Sequence, residues 1–291
     1  MIMIKYPLYA VLSLLVVFAS CKSHKKHLRD KSNSDTLSVA MPIINQSAEV
    51  NNPYYNTNFQ LNLFQDSVTF YGFNSTNKWE LKIVNNQTLL FTHDGETIEF
   101  KHEKLFQTQD ASIVKYYSTK LVDSLSNKAG KNSITITVSE EKYLDLSSSI
   151  YVPFSVRIEL QNSQRSVVYS GGGFYLAEPT IHDIWVLDSI NTEKIEVKKF
   201  PQGLPTLEFK LEGGSLSGFS GCNYLNTDFY KVRNEIQFGD MALTMKSCMD
   251  VTGESDFITL LNKKRYSYTL KNGQLILVHR DKSKLAFRKV D

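Results

Sequence analysis

Three cysteines carry most of the chemical potential of this chain. Cys21 closes an apolar segment near the N-terminus. Cys222 and Cys248 fall together in the last third, within Leu216-Ser217-Gly218-Phe219-Ser220-Gly221-Cys222-Asn223 and Thr244-Met245-Lys246-Ser247-Cys248. A thiol can bridge, ligate a metal or attack an electrophile, and its surroundings decide among these. Gly218-Phe219-Ser220-Gly221-Cys222 approximates the Gly-x-Ser-x-Gly nucleophile elbow, with Cys222 in place of the last glycine. An elbow needs a strand-to-helix turn; here both flanks read as strands and no acid–histidine pair follows. The same glycines lack the Gly-Lys-Ser/Thr ending of a phosphate loop, which leaves them a sharp bend or close backbone packing. No Cys-x-x-Cys and no paired histidine stands near Cys222 and Cys248, which argues against a redox or zinc centre. His93, His102, His182 and His279 stand alone, and His24 and His27 lie beside Cys21 in a polar tail. Glu140 and Glu141 are adjacent, so on a strand they face opposite sides; they read as a solvated turn. The sequence predicts no catalytic residue, no metal site and no cofactor.

The 33 basic residues nearly balance the 30 acidic ones, for a formal net charge of +3. Nucleic acid as a partner would favour a basic stripe, so none is expected. Met1 to Ser20 has one early charge, Lys5, followed by an apolar run from Tyr6 through Phe18. That run falls short of the ~20 apolar residues of a membrane span and has the form of a signal peptide. The small residues directly before Cys21 make it resemble a bacterial lipoprotein signal, with Phe18 where that family has Leu and Ser20 where it has Gly or Ala. The resemblance implies that Cys21 becomes the mature N-terminus and carries diacylglycerol on its sulfur, usually with a third acyl chain on the new amino group. Two or more chains anchor a protein stably. The expected location is the bacterial cell envelope, lipid-anchored in the outer membrane and facing the periplasm, with the membrane as the first partner. A sulfur consumed by lipid leaves His24 and His27 without a third metal ligand. Export also places Cys222 and Cys248 where disulfides persist; they either bridge or pack as reduced thiols.

The elements that must position these residues are mostly strands. Residues 1–20 form the signal, and residues 21–58, polar and rich in Ser, Asn and Lys, read as a flexible tether. Residues 59–178 and 179–291 then form two small β-rich domains, meandering or partly closed into barrels, so the fold class is mainly β. In the first, Trp79, Leu81 and Ile83 alternate with polar neighbours, and Asn85-Asn86 and His93-Asp94-Gly95 predict hairpin turns. Ala111 to Leu125 fits either a helix or a strand. Ile134 to Val138 and Phe154 to Leu160 read as strands, and Gly171-Gly172-Gly173 implies a bulge or a close backbone approach. In the second, strands alternate at Ile184 to Asp188, Thr206 to Leu211 and Ser215 to Ser220, and Asn272-Gly273 predicts another hairpin. Gly253 to Lys264 is its single helix, with Phe257, Leu260 and Leu261 on one face and Glu254 and Asp256 at its start.

The order Trp185-Val186-Leu187, Pro205-Thr206-Leu207-Glu208-Phe209, Ser217 through Asn223, Thr244-Met245-Lys246-Ser247-Cys248 and Leu285-Ala286-Phe287 resembles the META (HslJ-like) domain. Parts of the first domain, Tyr71-Gly72 before Trp79-Glu80-Leu81, Tyr143-Leu144-Asp145-Leu146-Ser147 and Tyr169-Ser170-Gly171-Gly172, resemble a secreted domain found beside META domains. Where that family shows Cys-x-Asp-Met-Ser and a later Gly-Cys, this chain has Tyr143 and Gly172, so a bridge there is absent. The META resemblance implies a compact β fold with one helix, links to envelope stress and drug tolerance, and no agreed enzymatic activity. The expected function is a non-catalytic binding or envelope-stress-related module, its partner another envelope protein or peptidoglycan-associated machinery. The alternatives are a carrier of a small apolar ligand in a β-cup, which would show an open aromatic cavity, and an enzyme, which would show convergent polar side chains in a cleft.

Overall fold

The computed structural model of the protein describes residues 52–101, 104–107, 112–118, 133–161 and 165–290. Cys21, His24, His27, His102 and the predicted signal lie outside them, as does most of the predicted tether. Its last part, residues 52–58, is built into the fold. Asn52 is fully buried, a 3-10 turn runs over Pro53–Tyr55, and helix α1 spans Thr57–Gln65. The side chain of Asn56 caps α1 by accepting from the Phe59 amide at 2.9 Å. Such a short helix is marginal alone; it holds because Leu63 is buried and Leu61 packs on the second lobe's core.

The first lobe is an antiparallel sheet. Its strands are β1 (Val68–Asn74), β2 (Trp79–Val84), β3 (Thr88–His93), β4 (Glu96–Lys101), β5 (Lys104–Gln107), β6 (Ile113–Ser118), β7 (Ser133–Ser139), β8 (Tyr143–Asp145), β9 (Ile150–Val152), β10 (Phe154–Gln161) and β11 (Ser166–Tyr175). Spatial order runs β5-β6-β7-β10-β11-β1-β2-β3-β4, while β8 and β9 form a separate hairpin. The ambiguous stretch after Ala111 is strand where it is described, β6. The sheet curls, since Phe100 of β4 and Val114 of β6 share one core with Trp79, Phe91 and Ile136. Both predicted turns take left-handed backbone, at Asn85 and Asn86 (φ 50° and 54°) and at Asp94 and Gly95 (φ 51° and 82°), the primed geometry that matches strand twist.

The glycine run lies inside β11, in unbroken register with β10, so the structure has the close approach and not the bulge. A Cβ on Gly171 would sit 2.3 Å from the Phe73 carbonyl oxygen and 2.5 Å from the Trp79 ring, and one on Gly172 2.4 Å from Val152 and 2.5 Å from Tyr143. The strand is thus bare on both faces so that core rings and the β8–β9 hairpin can press against it.

The second lobe comprises β12 (Ile184–Ile190), β13 (Glu193–Lys194), β14 (Thr206–Lys210), β15 (Ser215–Phe219), β16 (Tyr224–Val232), β17 (Glu235–Phe238), β18 (Ala242–Leu243), helix α2 (Glu254–Leu261), β19 (Arg265–Lys271), β20 (Gln274–His279) and β21 (Lys284–Lys289). Eight of these strands close a ring, β12-β14-β15-β16-β17-β19-β20-β21 and back to β12. An eight-stranded barrel has an interior just wide enough for side chains to fill. Here Leu207, Phe209, Phe238, Leu275, Leu277 and Phe287 are all fully buried, and α2 adds Phe257 and Leu261 to the same core. The fold is therefore mainly β, and α2 is the one α-helix of this lobe among the described residues.

The lobes share a seam. Tyr175 of β11 pairs with Lys231 of β16. Gln60 Nε2 donates to the Tyr54 carbonyl at 2.5 Å and to the Leu211 carbonyl at 3.2 Å. Glu140 accepts from the Tyr230 hydroxyl at 3.0 Å and pairs with Arg265. Its side chain is only 13% exposed, so the expectation of a solvated turn is corrected: Glu140 finds a guanidinium from the other lobe, and only Glu141 faces solvent. The Asn52 amide donates to Asp145 at 3.2 Å and to Ser148 at 2.8 Å, and its oxygen accepts from the Tyr54 backbone at 2.9 Å.

Two stability outcomes follow from this packing. Gly171→Ala overfills the contact with Phe73 and Trp79 and is expected to lower the unfolding free energy by about 1–3 kcal/mol, read as a shifted urea midpoint at constant slope. Asn52→Ala strips a buried carboxylate of a donor and is expected to cost about 1–3 kcal/mol in the same assay; an unchanged midpoint would show that the seam does not depend on it.

Candidate functional site

The loop from Gly239 to Gly253 leaves β17 and returns at α2, and three kinds of bond fix its path. Its start, β18, pairs with Leu225 and Asn226 of β16. Its far side is joined to the barrel by a Cys222–Cys248 disulfide, with Cα atoms 6.0 Å apart. Between the two, Asn223 holds the backbone. Its side-chain oxygen accepts from the Lys246 amide at 2.7 Å and the Thr244 hydroxyl at 2.9 Å, while its Nδ2 spans both oxygens of Glu254 at 3.2 Å. Glu254 also accepts from the Asn223 backbone at 2.9 Å and from Ser220. As the first residue of α2 it places a carboxylate at the helix N-terminus, where the dipole favours negative charge.

The glycines beside this knot serve packing. Gly221 has φ +105°, and a Cβ there would lie 2.4 Å from the Phe200 ring. Ser220 is fully buried and bonded to Glu254 and the Asn223 carbonyl, and the chain passes from β15 to β16 without entering a helix. The residues that imitate a nucleophile elbow are thus the inner wall of a disulfide knot. His93, His182 and His279 stand at separate places: His93 beside Asp94, His182 accepting from the Leu211 amide, and His279 beside Asp281.

The outer side of the loop is apolar and open. Met245 and Met249 are 101% and 95% exposed, and Tyr224 and Leu243 are exposed next to them along the β16–β18 pairing. The Lys246 ammonium stands 5.0 Å from the Tyr224 ring centre, within cation–π range. Methionine adapts its shape to a partner and recurs at protein-binding surfaces, and an exposed apolar patch marks an interaction site.

Residues 178–291 match the META domain family. The second lobe is a META domain. Two structures solved by NMR are similar to the chain. One, from Burkholderia xenovorans, is 24% identical and covers 38% of this chain and 82% of its own, with a TM-score of 0.32. The other is 21% identical and covers 39% of this chain and 95% of its own, also with a TM-score of 0.32. No curated protein matches the chain.

Sequence reasoning named both cysteines of the META domain but not Asn223 or Glu254 as the centre of the knot, nor the two methionines as its exposed product. The available signal was local: Met245 and Met249 bracket Cys248 in a segment without alternation, which a paired strand would require. Within the loop-entropy picture the bridge, closing a 26-residue separation, stabilises by about 3–4 kcal/mol. A Cys222→Ser/Cys248→Ser variant is expected to lose about that much in chemical denaturation and to gain rapid tryptic cleavage after Lys246; equal protease resistance would mean that Asn223 alone suffices.

Proposed function

We propose that this protein is a non-catalytic module of the bacterial cell envelope, anchored by lipid on Cys21, facing the periplasm from the outer membrane and docking an envelope protein through the stapled loop of its META domain. The observation that carries the docking reading is the pair of fully solvated methionines on a backbone fixed by a disulfide and by Asn223. The filled barrel supports it over the cup-shaped carrier, since Phe209, Phe238 and Phe287 occupy the space an apolar ligand would need. The anchoring part rests on the Ala19-Ser20-Cys21 sequence, and an envelope-stress role on the likeness of the second lobe to META domains.

Site-specific photocrosslinking in living cells tests the docking claim. A photoreactive residue at position 245 is expected to give one discrete adduct, which the Met249→Asp and Cys222→Ser/Cys248→Ser backgrounds abolish. The same residue at position 271, on the Asn272-Gly273 hairpin, is expected to give none. Identical adducts from both positions, or none from 245, would reject the loop as a docking surface. Cys21→Ala is expected to move the protein from the membrane to the soluble fraction; retention in the membrane would remove the lipid anchor from the proposal.

A further inference from the structure

Away from the stapled loop, four to six residues further along β16, a cleft of about 270 Å³ opens between the lobes. Segments from both lobes build it. The 3-10 turn contributes Tyr54 and Tyr55, the β8–β9 hairpin contributes Tyr151, and β16 contributes Asp228 and Tyr230. Gly213 forms part of the META wall, and a Cβ there would lie 2.4 Å from the Tyr55 ring, so its bare backbone lets that ring sit close to the barrel. The buried Asn52–Asp145–Ser148 bonds hold the turn and the hairpin at fixed spacing. The cleft is therefore preformed.

We infer that this cleft binds a neutral sugar ring, stacked on its tyrosines and hydrogen-bonded by the Lys142–Asp228 pair. The lining matches the two kinds of surface such a ring presents. A pyranose has C–H faces and a hydroxyl edge, and C–H groups meet the negative face of an aromatic ring favourably. Tyr230 offers its ring and not its hydroxyl, which is committed to Glu140 at 3.0 Å, while Tyr54, buried against Tyr55 and Phe174 with its hydroxyl on the Phe229 carbonyl at 3.4 Å, backs the wall. Burial raises the Tyr54 phenol well above its ordinary pKa, and burial with the neighbouring Glu140 carboxylate does the same for Tyr230, so these rings stay uncharged. At the edge, Lys142 Nζ lies 3.2 Å from Asp228 Oδ2, with side chains 62% and 46% exposed. An ammonium has three donors and a carboxylate about four acceptor sites, so the pair retains capacity of both kinds for adjacent hydroxyls.

The same pair sets the ligand's charge. Opposite charges cancel at the mouth, which leaves no net attraction for a phosphate, a nucleotide or a carboxylate. At about 270 Å³ the cleft takes one ring, and a longer chain continues out of its open mouth. A proline-rich peptide would use the tyrosines and leave the ion pair idle.

The test uses the full-length protein in lipid nanodiscs, titrated calorimetrically with the N-acetylglucosamine trimer, with maltotriose and with decaproline. Saturable millimolar binding of at least one sugar is expected. Tyr151→Ala should weaken it about tenfold, Tyr151→Trp should retain it, and Met245→Asp should leave it unchanged, which separates this site from the docking loop. Circular dichroism melts check that each variant folds. The inference is overturned by the absence of saturable heat with both sugars, by equal affinity in Tyr151→Ala, or by saturable binding of decaproline in their place.

Discussion

The strap that ties the two lobes is pinned at its start by one buried amide. Asn52 is inaccessible to solvent, and its side chain is bonded to Asp145, to Ser148 and to the backbone of Tyr54. A carboxylate as buried as Asp145, at 2% exposure, is tolerated only with several donors around it, and Ser147 and Ser148 supply the others. This arrangement explains the Tyr143-Leu144-Asp145-Leu146-Ser147 stretch: it is the hairpin end that receives the strap. From Asn52 the chain turns through Tyr54, whose hydroxyl reaches the META barrel, and enters α1, whose Gln60 reaches Leu211. A short polar segment thereby ties two separately cored lobes, because each of its buried polar groups finds a partner on one side or the other.

A second polar knot does comparable work at the far end of β16. Asn223 and Glu254 sit where a strand, a long loop and a helix start converge, and every oxygen of the two side chains accepts at least one hydrogen bond. The knot and the disulfide are redundant in position but different in kind. The bridge limits the unfolded chain, whereas the amide–carboxylate bonds select one native loop path. Together they fix the backbone that carries Met245 and Met249, whose exposed apolar surface burial would otherwise favour hiding.

Much of the strand order could be read locally, and the reasons for the failures are physical. Asn85-Asn86, Asp94-Gly95 and Asn272-Gly273 announce hairpins because few other residues accept left-handed backbone, and each such pair does so here. Alternation at Leu207 and Phe209 reports one buried face directly. By contrast, α1 was illegible: its sequence is rich in Asn and Gln, and its burial is split between the neighbouring β1 cluster and a lobe more than a hundred residues away. The partner of Glu140 is Arg265, a pairing no local pattern encodes. The cysteines were legible as a pair, while the cleft, assembled from the strap, a hairpin and β16, leaves no contiguous trace.

Ring closure constrains what such a protein can do. Once β12 pairs with both β14 and β21, the META barrel has no free edge among these strands, and an eight-stranded ring leaves no interior after Phe209, Phe238 and Phe287 are seated. The two surfaces proposed above lie outside the ring: the loop crossing its rim and the groove where the other lobe meets its wall. Both places depend on β16, which borders the stapled loop at Tyr224 and the cleft at Asp228 and Tyr230. Its backbone is bonded to β15 and β17 throughout most of its length, so the two surfaces share one rigid element. Occupancy of one is therefore not expected to reshape the other, and the strand acts as a fixed ruler between them.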